Sequence, residues 1–587
     1  MTILNESIAS RIQNFGLDQD VSVQSNLAPR DGRSYVQGAK HPELAYATIP
    51  QLLRDAVSRY GPRDALIFPE ARLSYYDLDR AVDALAAGFL ALGLEKGDRL
   101  GIWSPNRLEW VLTQFATARI GVILVNINPA YRLSELEYAL NKVGCKALVL
   151  AQSFKSSEYL EMIRTLAPEL AQVERGRLHS ARLPNLRHVI VMDDASESSG
   201  VWTFAEVATL GGPAQQLRLP EIDRTLQPDD AINIQFTSGT TGQPKGATLS
   251  HYNIVNNARF VTDRIKLTEN DRLAIPVPLY HCFGMVMGVL GGVSKGAALI
   301  FPGQAFDAKQ TLDALATERC TALYGVPTMF VAMLQELTDA SRDLSALRTG
   351  VMAGAPCPVD VMKQVNDRMH MNEVTICYGM TETSPVSFQS FVDDTTQQRC
   401  ETVGRVHPHL EVKIVDESGQ IVPVGVQGEL CTRGYSVMKG YWEEATRTSD
   451  AIRDGWMHSG DLAVLEIDGF CSVTGRVKDM IIRGGENIYP REIEEFLFSH
   501  PEVSEVQVFG VPDTRLGEEV CAWVVAPKGG EVTSEALRTF CAGQIAHFKV
   551  PRHIRIVDEL PMTITGKPQK FVMRDRMIEE LSSGSTG

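Results

Sequence analysis

The chain has 587 residues, of which 44% are hydrophobic and 22% charged, and its formal net charge is −15 at pH 7. This composition excludes an intrinsically disordered or membrane-embedded chain, and the length predicts several folding units. The negative balance disfavours nucleic acid as a partner, since binding to its backbone depends on clustered Lys and Arg.

The sequence shows no sign of secretion or of a membrane span. Its longest apolar stretch, residues 282–293, is shorter than the ~20 residues that cross a bilayer and predicts a buried helix or pocket wall. Residues 1–13 lack the charged start and apolar core of a secretory signal. The ten cysteines form no CxxC pair and no Cys/His cluster at metal-ligand spacing. We therefore expect reduced thiols and a cytoplasmic location, while peripheral membrane contact and the choice between monomer and homodimer stay open.

The first part of the chain alternates helical and strand-like segments. Residues 48–61 repeat apolar side chains at helical spacing, and Ser74 caps a second helix that ends at Gly93. Strand-like apolar runs follow at residues 99–103, 122–125, 147–150 and 188–192. The segments between them are long enough for crossover connections, so the pattern predicts parallel α/β layers.

The pattern changes near residue 403. Shorter strands with turn signals predict a small β-rich unit over about 403–475, with strands at residues 411–416, 428–433 and 470–474. Pro490 then opens a helix. Later elements are predicted at residues 503–511, 520–526, 534–544 and 553–557. We expect a first domain of residues 1–477 and a second, α+β domain of residues 478–587.

A Ser/Thr/Gly loop at residues 237–246 (TSGTTGQPKG) follows the apolar run 231–236 and ends in a lysine. Glycines let backbone N–H groups approach an anion, hydroxyl groups add donors, and the lysine adds a positive charge. The residues concerned are Thr237, Ser238, Gly239, Thr240, Thr241, Gly242 and Lys245. The motif is not a Walker A loop, because Gly246 follows the lysine. A flexible surface turn would explain neither the strand nor the lysine, so the sequence predicts a phosphate site.

Two further segments carry groups that suit a nucleotide. In residues 378–383 (YGMTET), Tyr378 could stack on a purine, Thr381 could bond a phosphate oxygen, and Glu382 is a suitable ligand for Mg²⁺. A helix cap is an equally good interpretation of this hexapeptide. Residues 354–356 (GAP) form a bend where backbone can lie against a flat ring. Each of these signals is weak by itself.

Three later residues are candidates for binding or catalysis. In residues 458–461 (HSGD), Asp461 on a turn before a strand could bind both hydroxyls of a ribose, although an ordinary turn aspartate is commoner. The guanidinium group of Arg476, in residues 475–490, can donate paired hydrogen bonds to phosphate or sugar oxygens. Lys567 lies in a Pro-Thr-Gly-rich loop, where a charged side chain is usually just exposed to solvent.

In this order, the motifs resemble the core motifs of the ANL superfamily of adenylate-forming enzymes, which includes acyl-CoA synthetases, peptide-synthetase adenylation domains and luciferases. The resemblance runs from about Leu44 to Met573, nearly the whole chain. Two departures are small: Ser459 stands where threonine is commoner, and Pro568 stands where isoleucine is common. The chain looks most like fatty acyl-CoA synthetases of the family-member-2, medium-chain type at residues 279–284 (LYHCFG), 324–329 (YGVPTM) and 480–494.

The resemblance implies a large N-terminal adenylation domain of stacked α/β subdomains with a small β-barrel unit, joined at a hinge, Lys478, to a mobile α+β C-terminal domain. It implies an ATP-dependent, AMP-forming fatty acid:CoA ligase that uses a medium-chain fatty acid, ATP, coenzyme A and Mg²⁺. The alternatives are an aromatic-acid:CoA ligase, a fatty acyl-AMP ligase that loads a carrier protein, and a nucleotide-binding sensor without turnover. The intact Lys567, Glu382 and Asp461 argue against the sensor.

The resemblance also implies roles for single residues. The catalytic residues would be Lys567, Thr381 on the α-phosphate, and Glu382 as the magnesium ligand. The Ser/Thr/Gly loop would hold the β,γ-phosphates. The other nucleotide contacts would be Gly354, Ala355, Pro356 and Tyr378 at the adenine with Gly379 beside them, and Asp461 and Arg476 at the ribose. The coenzyme A tunnel would be formed by Gly484, Gly485 and Glu486.

We expect an acyl pocket along the apolar stretch 283–293 and residues 324–326. The first stretch carries no charged residue, which favours a hydrocarbon tail over a polar group. Its methionines would adapt to chains of different shape. His281 is either a gate for the carboxylate or a core histidine. The predicted pocket residues are His281, Phe283, Gly284, Met285, Met287, Tyr324, Gly325 and Val326.

Overall fold

The computed structural model describes residues 27–193, 200–237, 244–337, 342–483, 486–527, 529–542, 544–563 and 567–583. Some predicted site residues lie outside this part: Ser238, Gly239, Thr240, Thr241, Gly242, Gly484 and Gly485. The chain divides into two compact units. Unit 1 contains Gln37–Val412 and Thr432–Met457, and unit 2 contains Ala28–Val36, Lys413–Cys431 and the residues from His458 onward.

The strands are numbered in chain order. Those before residue 360 are β1 (Tyr35–Gln37), β2 (Asp64–Phe68), β3 (Ala71–Ser74), β4 (Arg99–Trp103), β5 (Ile123–Asn126), β6 (Ala147–Leu150), β7 (His188–Val191), β8 (Val201–Thr203), β9 (Ala231–Thr237), β10 (Lys245–Ser250), β11 (Arg272–Ala274), β12 (Ala298–Ile300), β13 (Ala322–Gly325) and β14 (Thr349–Ala353). The later ones are β15 (Glu373–Gly379), β16 (Val386–Gln389), β17 (Arg405–Val406), β18 (Leu410–Val415), β19 (Gly428–Gly434), β20 (Gly440–Tyr441), β21 (Ile452–Arg453), β22 (Trp456–Leu465), β23 (Cys471–Arg476), β24 (Ile481–Arg483), β25 (Glu486–Ile488), β26 (Glu505–Asp513), β27 (Gly517–Val525) and β28 (His553–Val557).

Helices connect and cover these strands. The α-helices of the described residues are Ile49–Tyr60, Tyr75–Ala91, Leu108–Arg119, Leu133–Lys142, Tyr159–Leu166, Phe204–Leu210, Pro213–Asp223, His251–Arg264, Gly291–Lys295, Ala308–Thr317, Pro327–Glu336, Val359–Met369, Thr396–Glu401, Ala445–Ala451, Pro490–Phe498, Ser534–Cys541 and Lys570–Ser583. A π-helix spans Phe283–Leu290, and short 3₁₀ helices span Pro168–Ala171, Thr381–Thr383, Val477–Asp479 and His547–Lys549.

The first sheet of unit 1 has the strand order β20-β10-β9-β5-β4-β6-β7-β8. The strands from β9 to β8 pair in parallel, while β10 and β20 add an antiparallel edge. Strands such as β5, β6 and β7 are buried along their whole length, as continuous apolar runs in a sheet covered on both faces should be. The predicted parallel α/β layering is confirmed.

The second sheet of unit 1 has the order β17-β16-β15-β14-β13-β11-β12-β2-β3, with parallel pairing from β15 to β2. The carboxyl ends of β13, β14 and β15 therefore meet at one edge, which is where ligands bind in such sheets. The segments predicted to bind the acyl chain and the adenine begin at these three strand ends.

Unit 2 contains a five-stranded sheet of order β25-β24-β27-β26, with β28 parallel to β27. The nine-residue strands β26 and β27 form an antiparallel hairpin. The helices Pro490–Phe498 and Ser534–Cys541 contribute Ile493, Leu497 and Leu537 to the core on this sheet. The predicted α+β architecture of the last part of the chain is confirmed.

The segment predicted as a β-barrel forms an open sheet instead. Its order is β1-β18-β19-β22-β21, with β23 also pairing with β22, and no pairing among the described strands joins the two ends. Most of β22 and all of β23 group with unit 2. The predicted domain boundary between residues 477 and 478 stays a prediction.

The predicted helix starts are confirmed by their caps. Thr48 and Ser74 each accept a hydrogen bond from the backbone three residues later, and each helix begins at the next residue.

The apolar stretch 282–293 is buried and helical, as predicted. Within the described residues, no helix combines the length and the apolar character needed to cross a bilayer.

Candidate active site

A buried carboxylate lies directly after β15. Glu382, on the 3₁₀ helix Thr381–Thr383, is only 6% exposed. Its Oε1 accepts hydrogen bonds from the Tyr441 hydroxyl at 2.9 Å and from Thr237 Oγ1 at 3.3 Å. Burial, together with the charge of Glu382, raises the pKa of Tyr441, so the phenol keeps its proton and donates it. The two hydrogen bonds hold the Glu382 side chain in one orientation, and a carboxylate is a ligand type that suits a hard cation.

The lysine of the phosphate loop belongs to the same group. Lys245 begins β10, pairs in register with Thr237, and places its Nζ 4.9 Å from the centre of the Tyr441 ring. Tyr441 is held there by pairing with Ala247 in the β20–β10 ladder. The structure therefore brings Thr237, Lys245 and Glu382 together around one tyrosine, whose role the sequence analysis missed.

The predicted adenine residues share the edge next to Glu382. Gly354 follows β14 with φ +92°, a conformation that favours glycine, and Tyr378 and Gly379 end the adjacent parallel strand β15. A Cβ on Gly379 would lie 1.7 Å from the Pro385 carbonyl oxygen. The surface formed by these residues is accessible: Tyr378 is half-buried, and Gly354, Pro356 and Gly379 are exposed. A flat ring could therefore lie against it.

The predicted acyl-pocket residues lie together but are tightly packed. The rings of Phe283 and Tyr324 are 5.5 Å apart, and Val326 follows β13. Phe283 and Val326 are each 8% exposed, whereas Met285, Met287 and Tyr324 are more deeply buried. Gly284 and Gly325 are packing positions: a Cβ on Gly284 would meet the Pro278 carbonyl, and one on Gly325 would meet the Phe330 ring.

Buried amides also contact this region, and the sequence analysis did not name them. The Asn126 and Gln235 side-chain nitrogens each lie 3.2 Å from Met285 Sδ, and Gln235 Oε1 accepts from the Cys282 thiol at the same distance. Burial raises the pKa of Cys282 to about 12, against the effect of its hydrogen bonds to Gln235 and Thr381. Cys282 therefore links the predicted acyl pocket to Thr381 as a neutral thiol.

His281 has a local structural role. Its Nδ1 accepts from the Phe283 N–H at 3.3 Å, and its carbonyl accepts from Met285 N, at the start of the π-helix. The imidazole is only half-buried, which does not fit the core-histidine interpretation. The gate for the carboxylate stays a prediction.

Asp461 and Arg476 face each other in unit 2. Asp461 lies inside β22, in register with Arg476 of β23, and accepts from Arg476 Nε at 3.1 Å. The prediction that Asp461 lies on a turn before a strand is wrong, because pairing with β23 overrides the turn character of Gly460 and Asp461. The aspartate is 9% exposed, whereas the Arg476 side chain is 55% exposed.

The remaining predicted residues that the structure describes also belong to unit 2. Lys567 is exposed, and its backbone is fixed by two hydrogen bonds to Thr563, of 2.8 and 2.9 Å. Lys478 is exposed in the 3₁₀ helix between β23 and β24, and the Glu486 backbone begins β25. Their functions as catalytic lysine, hinge and tunnel residue stay predictions.

Sequence comparison decides the family. The profile described as AMP-binding enzyme matches residues 53–442, and that of the AMP-binding enzyme C-terminal domain matches residues 492–567. The chain belongs to the AMP-binding enzyme family. Within this AMP-binding enzyme, the first profile covers the Thr237–Lys245–Glu382 group together with Tyr441, and the second ends on Lys567. The predicted resemblance to adenylate-forming enzymes is confirmed.

Curated relatives of this AMP-binding enzyme match it almost from end to end. The mitochondrial medium-chain acyl-CoA ligase ACSF2 of Bos taurus is 46% identical over 563 residues, which covers 94% of this chain and 91% of that protein. The ACSF2 ligase of Danio rerio is 47% identical over 554 residues, covering 93% and 91%.

Solved structures share the fold of this AMP-binding enzyme. ATP-bound MatB from Rhodopseudomonas palustris is 29% identical, with a TM-score of 0.79, and the match covers 91% of this chain and 99% of that chain. A Mycobacterium tuberculosis fatty acyl CoA synthetase is 26% identical, with a TM-score of 0.65 and the same coverage. The predicted α/β fold class is confirmed.

Proposed function

We propose that this chain is an ATP-dependent, AMP-forming fatty acid:CoA ligase that prefers medium-chain acids. The observation that carries the proposal is the group around Tyr441, in which the buried Glu382 carboxylate meets a hydroxyl and a lysine of the phosphate loop. The relatives named as medium-chain acyl-CoA ligases support the choice of substrate.

In the proposed first step, the fatty acid carboxylate attacks the α-phosphorus of ATP and pyrophosphate leaves. Lys245 and the Thr237 hydroxyl hold the leaving phosphates, and Thr381 donates to an α-phosphate oxygen. Glu382 would hold Mg²⁺, which when bound offsets the phosphate charge. Holding the two reactants in line can contribute roughly 7–11 kcal/mol to the rate enhancement.

Lys567 is the proposed cation for this step. An ammonium group between the carboxylate and an α-phosphate oxygen would reduce the repulsion between two anions, an effect worth roughly 3–4 kcal/mol in a dry site. In the second step, the coenzyme A thiol attacks the acyl-adenylate carbonyl and AMP leaves. We propose that rotation at Lys478 withdraws Lys567 between the steps, because the lysine is no longer needed and would block the thiol.

The experiment that tests the proposal is a panel of saturated acids from C4 to C16 with ATP and coenzyme A. Pyrophosphate release and acyl-CoA are measured together. We expect both products in equal amounts, with the highest rate for medium-chain acids. A higher rate with benzoate would favour an aromatic-acid:CoA ligase, and acyl transfer to a carrier protein but not to coenzyme A would favour a fatty acyl-AMP ligase. If the protein binds ATP but forms neither pyrophosphate nor acyl-CoA with any acid, the remaining interpretation is a nucleotide-binding sensor without turnover.

The cytoplasmic location also stays a proposal. The ACSF2 relatives carry the word mitochondrial in their names, which describes those proteins. Expression of the full chain with a fluorescent C-terminal tag in its own cells, followed by fractionation, would decide between a cytoplasmic and an organelle pool.

A further inference from the structure

Two neighbouring strands of unit 2 bring three metal-ligating side chains together. Glu429 and Cys431 are two residues apart on β19, on the same face of the strand, and His458 lies on β22, which pairs with β19. Their ligand atoms all lie within 4.8 Å of one another. In the part of the chain that the structure describes, no other three His, Cys, Asp or Glu side chains form such a group.

Two contacts converge on one imidazole nitrogen. His458 Nδ1 lies 2.8 Å from Glu429 Oε2 and 3.4 Å from Cys431 Sγ. Cys431 Sγ also lies 3.9 Å from the Glu429 carbonyl oxygen. Three groups therefore converge here whose chemical types, imidazole, thiolate and carboxylate, are the usual ligands of Zn²⁺.

The spacing of Cys431 Sγ and His458 Nδ1 suits a tetrahedral ion. Zn–S and Zn–N bonds of about 2.3 and 2.0 Å, at the tetrahedral angle, hold the two ligand atoms about 3.5 Å apart. The observed distance between Cys431 Sγ and His458 Nδ1 is 3.4 Å. The distance from Nδ1 to Glu429 Oε2 would have to widen by about 0.5 Å, which a change in the glutamate side-chain torsions can supply.

Neighbouring hydrogen bonds orient the ligands. Gly460 N donates to Glu429 Oε1 at 3.1 Å, and the Ser459 hydroxyl donates to the Leu430 carbonyl at 2.7 Å. The contact to Glu429 Oε1 fixes the direction of that carboxylate, as outer partners of metal ligands do, and the contact to Leu430 fixes the backbone between Glu429 and Cys431. Cys431 is completely buried, whereas the side chains of His458 and Glu429 are 13% and 25% exposed. An ion would therefore reach the group from the histidine and glutamate side.

We propose that Glu429, Cys431 and His458 bind a divalent transition-metal ion of the Zn²⁺ type. The ligand atoms are a carboxylate oxygen, Sγ and Nδ1, and the fourth position is open to water. Binding displaces the thiol proton to solvent and involves no change of oxidation state. The ion cross-links β19 to β22 three residues before Asp461, so it would stiffen the strand that carries the proposed ribose ligand.

The test is a titration of the full-length, chelator-treated protein with Co²⁺. This ion binds in zinc sites, and a bond from Co²⁺ to a thiolate gives a charge-transfer absorption band in the near ultraviolet. We expect the band to saturate at one equivalent and to disappear when Zn²⁺ is added. Zn²⁺ should also raise the Tm, because it binds the folded state. A folded protein without the band would overturn the proposal.

Two variants and a control locate the site. Cys431→Ser should remove the band, whereas Cys471→Ser, a buried cysteine on β23 of the same sheet, should keep it. His458→Gln should weaken Co²⁺ binding at least about tenfold, since even an outer partner of a metal ligand is worth 10–100-fold. His458→Gln keeps the test valid if circular dichroism shows that Cys431→Ser does not fold. An undiminished band in His458→Gln, or its loss in a folded Cys471→Ser, would contradict the assignment.

Discussion

Tyr441 is the residue on which the geometry of the candidate site depends. Its hydroxyl donates to Glu382, its ring lies under the Lys245 ammonium group, and it is 6% exposed. A hydrogen bond to a charged group typically contributes about 1.5–3 kcal/mol, and a cation over an aromatic ring about 0.5–2 kcal/mol. Tyr441 therefore orients both the proposed magnesium ligand and the proposed phosphate lysine without itself contacting the reacting atoms.

We predict that Tyr441→Phe raises the Mg²⁺ concentration needed for half-maximal acyl-adenylate formation. The ring would remain under Lys245, but Glu382 would lose its shorter hydrogen bond, so a reduction of about 10–100-fold in adenylation efficiency is expected. The measurement is pyrophosphate release against Mg²⁺ concentration.

Tyr435→Phe is the matched control for this prediction. Tyr435 is also buried in unit 1, and its hydroxyl contacts Asn257 at 3.2 Å, outside the group around Glu382. Its Mg²⁺ dependence should equal that of the parent protein. An unchanged Mg²⁺ dependence in Tyr441→Phe would show that the hydroxyl does not position Glu382.

Among the glycines that the structure describes, Gly379 at the end of β15 has the closest neighbour for an added Cβ. A Cβ on Gly379 would lie 1.7 Å from the Pro385 carbonyl oxygen, so Gly379→Ala must displace the turn that carries Thr381 and Glu382. We predict that adenylation falls at least about 100-fold, because small misplacements at a reacting centre have effects of that size.

The control for the turn is Gly212→Ala, where the added Cβ would meet only the Gln215 side chain, at 3.5 Å. Initial rates and Tm are measured for both variants. Gly212→Ala should stay within a few-fold of the parent rate. Normal adenylation by Gly379→Ala would mean that the turn can shift without affecting the site.

The helix His251–Arg264 begins with a histidine that burial keeps neutral. Burial lowers the pKa of His251 to about 3, and its Nδ1 accepts from the Ile49 N–H at 3.1 Å. The ordinary pKa is about 6.5, so between these values the unfolded chain binds a proton that the folded protein does not. The stability contributed by this neutral group is complete above about pH 6.5 and is lost as the pH falls toward 3.

We predict that the free energy of unfolding decreases as the pH is lowered from about 7 to 4, and that the decrease is smaller in His251→Asn. The asparagine keeps an acceptor oxygen for Ile49 but has no group that titrates in this range. Urea unfolding followed by circular dichroism at each pH measures the slope. Equal slopes for the parent and His251→Asn would contradict the assignment.

The elements that the sequence predicted well are those whose signal is local. Strands β4 and β6 have the predicted bounds, because buried strands are short apolar runs between turn residues. The cap predicted at Ser74 is also a local hydrogen bond. The open sheet and the position of Asp461 within β22 depend on pairing between distant strands, which no local pattern contains.

In the candidate site, too, the residues in local motifs were predictable and the residues brought in by distant strand pairing were not. Thr237, Lys245 and Glu382 lie in recognisable motifs, and the structure brings them together. Tyr441 belongs to a two-residue strand whose partner is about 190 positions earlier in the chain, so its contact could not be predicted. The same is true of Cys431 and His458, whose separation in sequence is unlike that of the usual metal motifs.

At the scale of the whole molecule, one lysine is proposed to act in only one of two reactions. Lys567 lies in unit 2, whereas the group around Tyr441 lies in unit 1. The proposed adenylation needs the lysine beside the α-phosphate, and the proposed thioester step does not. The two half-reactions should therefore respond differently when Lys567 is removed.

The most direct test compares the two half-reactions of Lys567→Ala with those of the parent protein and of Lys549→Ala, a lysine of unit 2 that pairs with Glu492. Acyl-AMP is measured after mixing enzyme, medium-chain acid and ATP without coenzyme A, and acyl-CoA is measured after supplying acyl-AMP and coenzyme A. We predict that Lys567→Ala forms acyl-AMP about 100–1,000-fold more slowly yet makes acyl-CoA at close to the parent rate, and that Lys549→Ala resembles the parent in both. An equal loss in both half-reactions, or normal acyl-AMP formation without Lys567, would contradict the account.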